Sequence, residues 1–442
     1  MLSRKRFAVP FIVLVICSTL IGSPQAARAW GIHSLLTKVS VQLLPDWQRQ
    51  TIKAEEKGFI DRYCIFPDDA KAPDAAPYIV KFPPEAKVSL HIPGSLERNK
   101  MVFDAYLPQI VSILQAGKTS EAMHDFGCVA HDLEDSACPC HMAHGEIAVP
   151  EQGPPLLQMD FFKRFLSLPD EVDQEMLHSR IDGCPMTEQQ LCRAVEGYKP
   201  RLLGHSVEEM IFNLLEEHAA MNRRSSKQLI PMLQALADGD EAKFVARGVT
   251  AAADGTRLVA DVLNTVLCLA QSRLETAPPA EVSLADRTPA RGSAFSWSDR
   301  NHQGQLIPNA SGAYARNMSD PPKLGRHPLK LKMADGSVRE FAKGYGVGWK
   351  TEYTFLLPRG VFKTFTVYAG NDAELGTEGT NTFEILLDGK PAASTPKLIG
   401  AALPGQRLEV PLGNATTLTL RCQSEGRANR IHGVWAEPKL VR

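Results

Sequence analysis

Apolar residues recur at spacings of three and four from about residue 30 to residue 275, and beyond about residue 285 the rhythm changes to alternation. Ile32, Leu35, Leu36, Val39 and Leu43 mark a helix over 30–44 that Pro45 stops. Met123, Phe126, Val129 and Ala130 give an apolar side to a helix over 120–135, with Thr119 or Ser120 at its N-cap and Glu121 in its first turn. Met210, Phe212, Leu214 and Leu215 carry a third helix from Gly204 to about Met221, and Lys227–Leu236 and Val259–Glu275 repeat the pattern. Residues 142–204 are rich in proline and charge, with short helical pieces at 158–168 and 171–182. Thr276-Ala277-Pro278-Pro279-Ala280 reads as a linker. After it, Phe383–Leu387 and Thr417–Cys422 alternate apolar and polar residues, and Asp388-Gly389 and Gly413-Asn414 supply turn chemistry. The pattern predicts a helical domain over 30–275, a linker over 276–284 and an all-β sandwich over 285–442.

The first 29 residues add a processing signal. Arg4, Lys5 and Arg6 precede an apolar run from Phe7 to Gly22, which is short for a membrane span, and Ala27-Arg28-Ala29 has the small-x-small form of a cleavage site. The expectation is a signal peptide over 1–29 and a secreted or periplasmic protein. An uncleaved membrane anchor is the competing reading. Ile16 before Cys17 argues against a lipid-attached cysteine. Cleavage leaves Trp30 as the first residue and eight of the nine cysteines. An even count in an exported chain fits disulfides, and Cys184 with Cys192 would close a short loop. Cys138 and Cys140 could instead bind zinc, a reading ranked below disulfides or buried thiols because nearby histidines and aspartates already suffice. The formal net charge of −1 argues against a broad basic footprint for duplex nucleic acid.

The chemistry concentrates in His131-Asp132-Leu133-Glu134-Asp135-Ser136-Ala137-Cys138-Pro139-Cys140-His141. His131 and Asp135 stand at i and i+4, on one helix face, and Pro139 turns the chain so that His141 follows as a loop donor. Such a set can hold a metal, although the motif alone is weak and a polar helix face is the plainer reading. His124 shares roughly the same face and reads as a core-edge histidine. His33 lies in the first helix, one turn from the amine and carbonyl of a mature Trp30. Asp68 sits in the Phe66-Pro67-Asp68-Asp69 turn, and His91 in a short extended piece before Pro93-Gly94. Two later pairs repeat the i, i+4 spacing, His178 with Asp182 and His205 with Glu209.

Taken together, these residues resemble the zinc-dependent phospholipase C family, whose superfamily includes the single-strand-specific zinc nucleases. The shared order is Trp30, His33, Asp68, His91, His131, Asp135, Pro139, His141, and His205 with Glu209. The resemblance implies an all-helical bundle holding three zinc ions in a cleft. The first ion would use Asp68, His91, His131 and Asp135. The second would use His141, His205 and Glu209, and the third the amine and carbonyl of Trp30 with His33 and a bridging Asp135. It also implies hydrolysis of a phospholipid phosphodiester by a zinc-bound hydroxide, with Asp68 as proton acceptor. The gap from His141 to His205 is longer than the family's usual spacing. His178 with Asp182 is therefore the competing pair, although Gly204-His205 opening a long amphipathic helix favours the later one. Ala137-Cys138-Pro139-Cys140 departs from the family, which often has Gln before the proline.

The last hundred residues resemble the family known as the novel carbohydrate-binding module. Gly344-Tyr345-Gly346-Val347-Gly348-Trp349, Phe365–Asp372, Phe383–Lys390 and Val434-Trp435-Ala436 carry that resemblance. Most of these residues read as sandwich core, with Trp349 or Tyr345 able to stack on a sugar if exposed. The resulting expectation is a zinc phosphodiesterase with a surface-targeting sandwich that binds a carbohydrate or cell-surface ligand. A single-strand nuclease or nucleotidase, and a non-catalytic metal- and sugar-binding surface protein, are the alternatives.

Overall fold

The computed structural model describes residues 31–141, 179–274, 276–294, 314–316, 319, 327–347, 350–375, 379–425 and 432–442. The expected signal peptide, Trp30, His178, Trp349 and the helical piece at 158–168 lie outside the described residues.

The N-terminal part is helical, with α1 at His33–Gln42, α2 at Asp46–Thr51, α3 at Glu56–Asp61, α4 at Leu96–Gln115, α5 at Thr119–Ala137, α6 at Glu188–Ala194, α7 at Val207–Ala237 and α8 at Glu241–Ala270. Pro45 does stop the first helix, and it also serves as the N-cap of the second. The helix expected at 120–135 is extended at both ends, and Lys118 rather than Thr119 or Ser120 occupies its N-cap position, with no side-chain cap. Its residues from Met123 to Ala137 are almost all buried, because α1, α4, α7, α8 and the Tyr63–Ile65 turn surround it. The two patterns at 204–221 and 227–236 are one helix, α7, capped by the Ser206 hydroxyl, which accepts from the Glu209 amide at 3.2 Å.

Gly127 sets how closely α5 meets the Tyr63–Ile65 turn. A Cβ there would overlap the Tyr63 carbonyl, so only glycine allows this approach. One helical turn later the same face carries His131, and the close approach brings the Cys64 carbonyl within reach of its ring.

The C-terminal part has two large antiparallel sheets face to face and a separate two-stranded pair at Leu329–Lys332 and Val338–Phe341. One sheet runs Gln406–Pro411, Thr364–Asn371, Gly433–Val441, Gly344–Val347, Tyr314–Arg316, with Glu281–Ser283 also paired to Gly433–Val441. The other runs Lys390–Ser394, Thr380–Leu387, Thr417–Glu425, Thr351–Leu356, Arg291–Ala294, with Leu398–Ile399 also paired to Thr380–Leu387. The strand at Glu281–Ser283 lies inside the stretch expected to be linker. Alternation puts Phe365 and Val367 inward from one sheet and Phe383 and Ile385 from the other. Trp435 is fully buried between them, edge-on to Phe383 at 5.0 Å. Asp388 and Gly389 both have positive φ, 47° and 75°, which matches the twist of a two-residue hairpin. Tyr345 is buried and donates to the Leu284 carbonyl at 2.6 Å, so it is a core residue with no free face for a sugar.

Candidate metal centre

Four side chains from three parts of the helical region meet on one face of α5. His131 Nε2 lies 3.1 Å from Asp135 Oδ2 and 3.8 Å from Asp68 Oδ1. His91 Nδ1 lies 3.2 Å from Asp135 Oδ2, 3.0 Å from His131 Nε2 and 3.8 Å from Asp68 Oδ1. His91 is held in place locally, because the Ser89 hydroxyl accepts from its amide at 3.0 Å and from the Ile92 amide at 3.3 Å. The other nitrogen of His131, Nδ1, donates to the Cys64 carbonyl at 2.8 Å. That bond fixes the tautomer and leaves the Nε2 lone pair aimed at the carboxylates.

His33 from α1 completes a second group with the other oxygen of Asp135. Its Nδ1–H donates to Glu134 Oε2 at 2.8 Å, and the Thr37 hydroxyl donates to Glu134 Oε1 at 2.7 Å. When the ring is neutral, His33 Nε2 then faces Asp135 Oδ1 at 3.2 Å, lone pair to lone pair. Among the described residues neither of these two buried atoms has a hydrogen-bond partner. The His33 and His131 rings stack at 4.1 Å. His33 Nε2 and Asp135 Oδ1 are suited to share a cation, and nitrogen and carboxylate donors suit zinc.

Electrostatics point the same way. Burial pushes the His33 imidazole down, but Asp135 and Glu134 together outweigh it and hold it up at about 10. Burial likewise opposes the His141 shift, and Asp135, Asp182 and Cys140 outweigh it and raise that ring to about 9. Burial alone would raise Asp135, yet His141, His131 and His33 hold it well below the carboxylate range. Without a metal, this charge pattern favours protons on His33 and His141.

Asp135 therefore touches both groups, as the expected bridge between two ions would. Asp68 and His91 are the more accessible members, with side-chain exposures of 15% and 39%, against 0% for His131 and Asp135. Access to the centre is from their side. His124 packs elsewhere. It stacks on Tyr63 at 3.9 Å and Tyr78 at 4.5 Å, and its Nδ1–H donates to the Ser120 carbonyl at 2.7 Å.

The expected second set is arranged differently. His141 Nε2 lies 3.4 Å from Asp182 Oδ1, and the Cys138 and Cys140 sulfurs each lie 3.3 Å from that oxygen. His205 and Glu209 belong to no metal-ligand group among the described residues. Instead they clasp the two domains together. Glu209 accepts from the Arg442 guanidinium, His205 Nε2 donates to the Thr276 carbonyl at 2.7 Å, and the His205 amide donates to Glu209 Oε2 at 2.9 Å. Phe212 of α7 is buried in the sandwich core beside Phe362, at 6.0 Å. The i, i+4 spacing of His205 and Glu209 is real, but the helix terminus it occupies faces the sandwich. Glu209→Ala should lower thermal stability by about 1–3 kcal/mol, the cost of an uncompensated partner, and leave metal content unchanged in elemental analysis. A lost metal would instead return Glu209 to the ligand set.

Among the described residues none of the eight cysteines of residues 30–442 is joined in a disulfide. Cys184 packs against Gly248, whereas the Cys192 sulfur turns to Gln42 Oε1 at 3.5 Å, so the short loop expected between them is not closed.

The residue that sequence reasoning missed is Glu134. It lies beside Asp135 in the central motif, and its fully buried carboxylate orients His33. The signal was present in the sequence, because a helix that turns Asp135 toward a metal also turns its neighbour toward α1. Glu134→Gln should weaken metal affinity by about 10–100-fold, the usual cost of removing a partner that orients a ligand. Titration with a metal indicator checks this, and unchanged affinity would count against the role.

No curated protein matches the chain. Residues 293–441 match the model of the NPCBM/NEW2 domain. Among solved structures, the chain is similar to alpha-toxin of Clostridium perfringens from the avian strain SWCP, with 11% identity over 92% of this chain and 86% of that one and a TM-score of 0.32. A CBM51 domain from Clostridium perfringens GH95, solved with methyl-galactose, is 21% identical over 36% of this chain and 99% of that one, with a TM-score of 0.30. The CBM51-2 and INT domains of Clostridium perfringens ZmpB are 21% identical over 37% of this chain, with a TM-score of 0.30, and the chain spans 31% of that structure's length.

Proposed function

We propose that the protein is an exported zinc-dependent phosphodiesterase of the phospholipase C type, with a C-terminal module that directs it to a carbohydrate-bearing surface. The observation that carries this reading is the convergence of Asp68, His91, His131 and Asp135, joined through Asp135 to His33. The motif order and the donor chemistry of the resemblance fit the same residues. The match of residues 293–441 to the NPCBM/NEW2 domain supports the sugar ligand.

In this reading Asp68, His91, His131 and Asp135 would hold one zinc, and His33 and Asp135, with the amine and carbonyl of Trp30, would hold another. The third would be held by His141. Asp182 is the carboxylate placed to serve it, in preference to Glu209. Zinc in such sites polarises a phosphoryl oxygen and makes water acidic enough to ionise near neutral pH. The chain's own residues do the rest. Glu134 and the Cys64 carbonyl hold His33 and His131 in the tautomers that turn Nε2 inward. Asp68, partly exposed at the mouth of the site, is placed to accept a proton from the attacking water. Burial of Asp135 and His131 keeps bulk water from the inner wall.

Elemental analysis should find three zinc ions per chain. Parallel assays on phosphatidylcholine and single-stranded DNA then decide the substrate. Hydrolysis of the lipid at the glycerol side of the phosphate is expected, and cleavage of DNA alone would establish the nuclease reading instead. Metal-free protein that neither binds zinc nor hydrolyses either substrate would end both.

A further inference from the structure

The proline turn after α5 carries a feature that the phosphodiesterase reading does not require. Cys138 leaves the helix in an extended conformation (φ −73°, ψ 122°), which the following Pro139 favours. The His141 amide then donates to the Cys138 carbonyl at 3.2 Å and closes a tight turn. This turn puts the Cys138 and Cys140 sulfurs on one side, 3.3 Å apart. Asp182 approaches from the segment 179–182, and its Oδ1 lies 3.3 Å from each sulfur and 3.4 Å from His141 Nε2. From α7, the Ser225 hydroxyl donates to the Ala137 carbonyl at 2.6 Å and holds the start of the turn.

Three donors on one carboxylate oxygen are more than its two lone pairs accommodate. The spacing has a simpler explanation. Bond lengths of about 2.3 Å to sulfur and about 2.0–2.1 Å to nitrogen or oxygen place the edges of a tetrahedral zinc site at roughly 3.3–3.8 Å. Two sulfurs, one nitrogen and one oxygen at 3.3–3.4 Å are close to such a set, and all four donor atoms lie within 4.8 Å of one another. The cysteines are fully buried and the other two residues nearly so. Four protein donors, the number that fills a tetrahedral zinc, are the mark of a structural rather than a catalytic site. Asp135 Oδ1 lies 3.4 Å from His141 Nδ1, so the two ring nitrogens face two different carboxylates.

We propose that Cys138, Cys140, His141 and Asp182 form a thiolate metal site, so that the ion at His141 has two sulfur ligands and a structural role. The proposal rests on the metal-enzyme reading for its placement beside Asp135, but the soft donors are its own claim. Thiolates select zinc or another thiophilic ion over magnesium or calcium. Such an ion would pin the end of α5 to the segment carrying Asp182, and so hold Asp135 where the catalytic ions need it.

The test is to load the full chain with cobalt(II) and record its absorption, and to load it with zinc and record X-ray absorption. A thiolate-to-cobalt charge-transfer band in the near ultraviolet and sulfur scattering at about 2.3 Å are expected. The double variant Cys138→Ser/Cys140→Ser should lose the band and one metal per chain. His91→Ala should keep the band while losing the metal of the Asp68 set. Full metal uptake by the wild-type chain with neither band nor sulfur scattering would overturn the proposal, as would a disulfide between Cys138 and Cys140 in the metal-loaded protein. The wild-type spectra decide the matter even if a variant fails to fold. A band without hydrolysis would remove the phosphodiesterase reading alone, and hydrolysis with full metal content but no band would remove this one alone. No metal uptake would remove both.

Discussion

Asp135→Ala should reduce phosphodiester hydrolysis by about 10³-fold or more, and should remove metal from the centre rather than merely slow it. Each oxygen of this carboxylate serves a different group, Oδ2 facing His131 and His91, and Oδ1 facing His33 and His141. No neighbour can replace it. Asp68 meets the His91 and His131 side, and Glu134 is turned away to hold His33 and Thr37. Lewis-acid stabilisation of a phosphoryl transition state is worth several kcal/mol. At about 1.36 kcal/mol per tenfold, its loss corresponds to the rate effect stated. Removing the charge also leaves three buried histidines without the carboxylate they share, so metal-free Asp135→Ala should be less stable than the metal-free parent near pH 6.5, where His33 and His141 hold their protons, and the difference should shrink as pH climbs toward 10. Metal content per chain and the initial rate on phosphatidylcholine are the measurements. A variant that kept both its metals and most of its rate would show that the carboxylate is not the bridge.

What the sequence made legible follows from how local each signal was. His131 and Asp135 could be placed together because helix geometry fixes i and i+4 on one face. The switch to alternating residues after 280 marked the sandwich for the same kind of reason, with the period of a strand replacing that of a helix. Asp68, His91 and His33 carried no such local signal. They lie on a turn, a bend and another helix, and only their order along the chain, matched to a known pattern, linked them to α5. The pair at 205 and 209 shows the limit of spacing. Its i, i+4 geometry is the same as that of 131 and 135, yet the partner it meets, Arg442, is the last residue of the chain. No periodicity within α7 could indicate that its N-terminus would be covered by a β-domain. Cys138 and Cys140 show the reverse case. Counting cysteines favoured disulfides, whereas a proline between two cysteines produces a turn that holds both sulfurs toward Asp182.

Metal-free protein should lose stability steadily as pH rises from about 6.5 to about 10, and zinc should abolish that slope. An ordinary imidazole titrates near 6.5. In the folded, metal-free chain His33 is held up at about 10 and His141 at about 9. Between these values and about 6.5 the folded state binds protons that the unfolded chain has released, so the stability they supply is complete below about 6.5 and falls as pH climbs through the folded values. Asp132, pushed up by burial and by Asp135, likewise costs stability as pH rises, beginning at the ordinary carboxylate pKa. His131 does not enter this window. Burial and the nearby His33 push it down, so its cost falls below about pH 6.5, where an exposed histidine would be charged. Shifts of this size correspond to an effect on the order of a few kcal/mol, or roughly 5–15 °C in melting temperature. Zinc needs the same nitrogens deprotonated, so its binding strengthens with pH over the range where the metal-free chain weakens. Melting curves of chelator-treated and zinc-loaded protein at pH 6.5, 8 and 9.5 should therefore diverge as pH rises. Parallel curves would mean that the protons held at His33 and His141 are not stand-ins for a metal, and that this buried cluster is a structural ion-pair network instead.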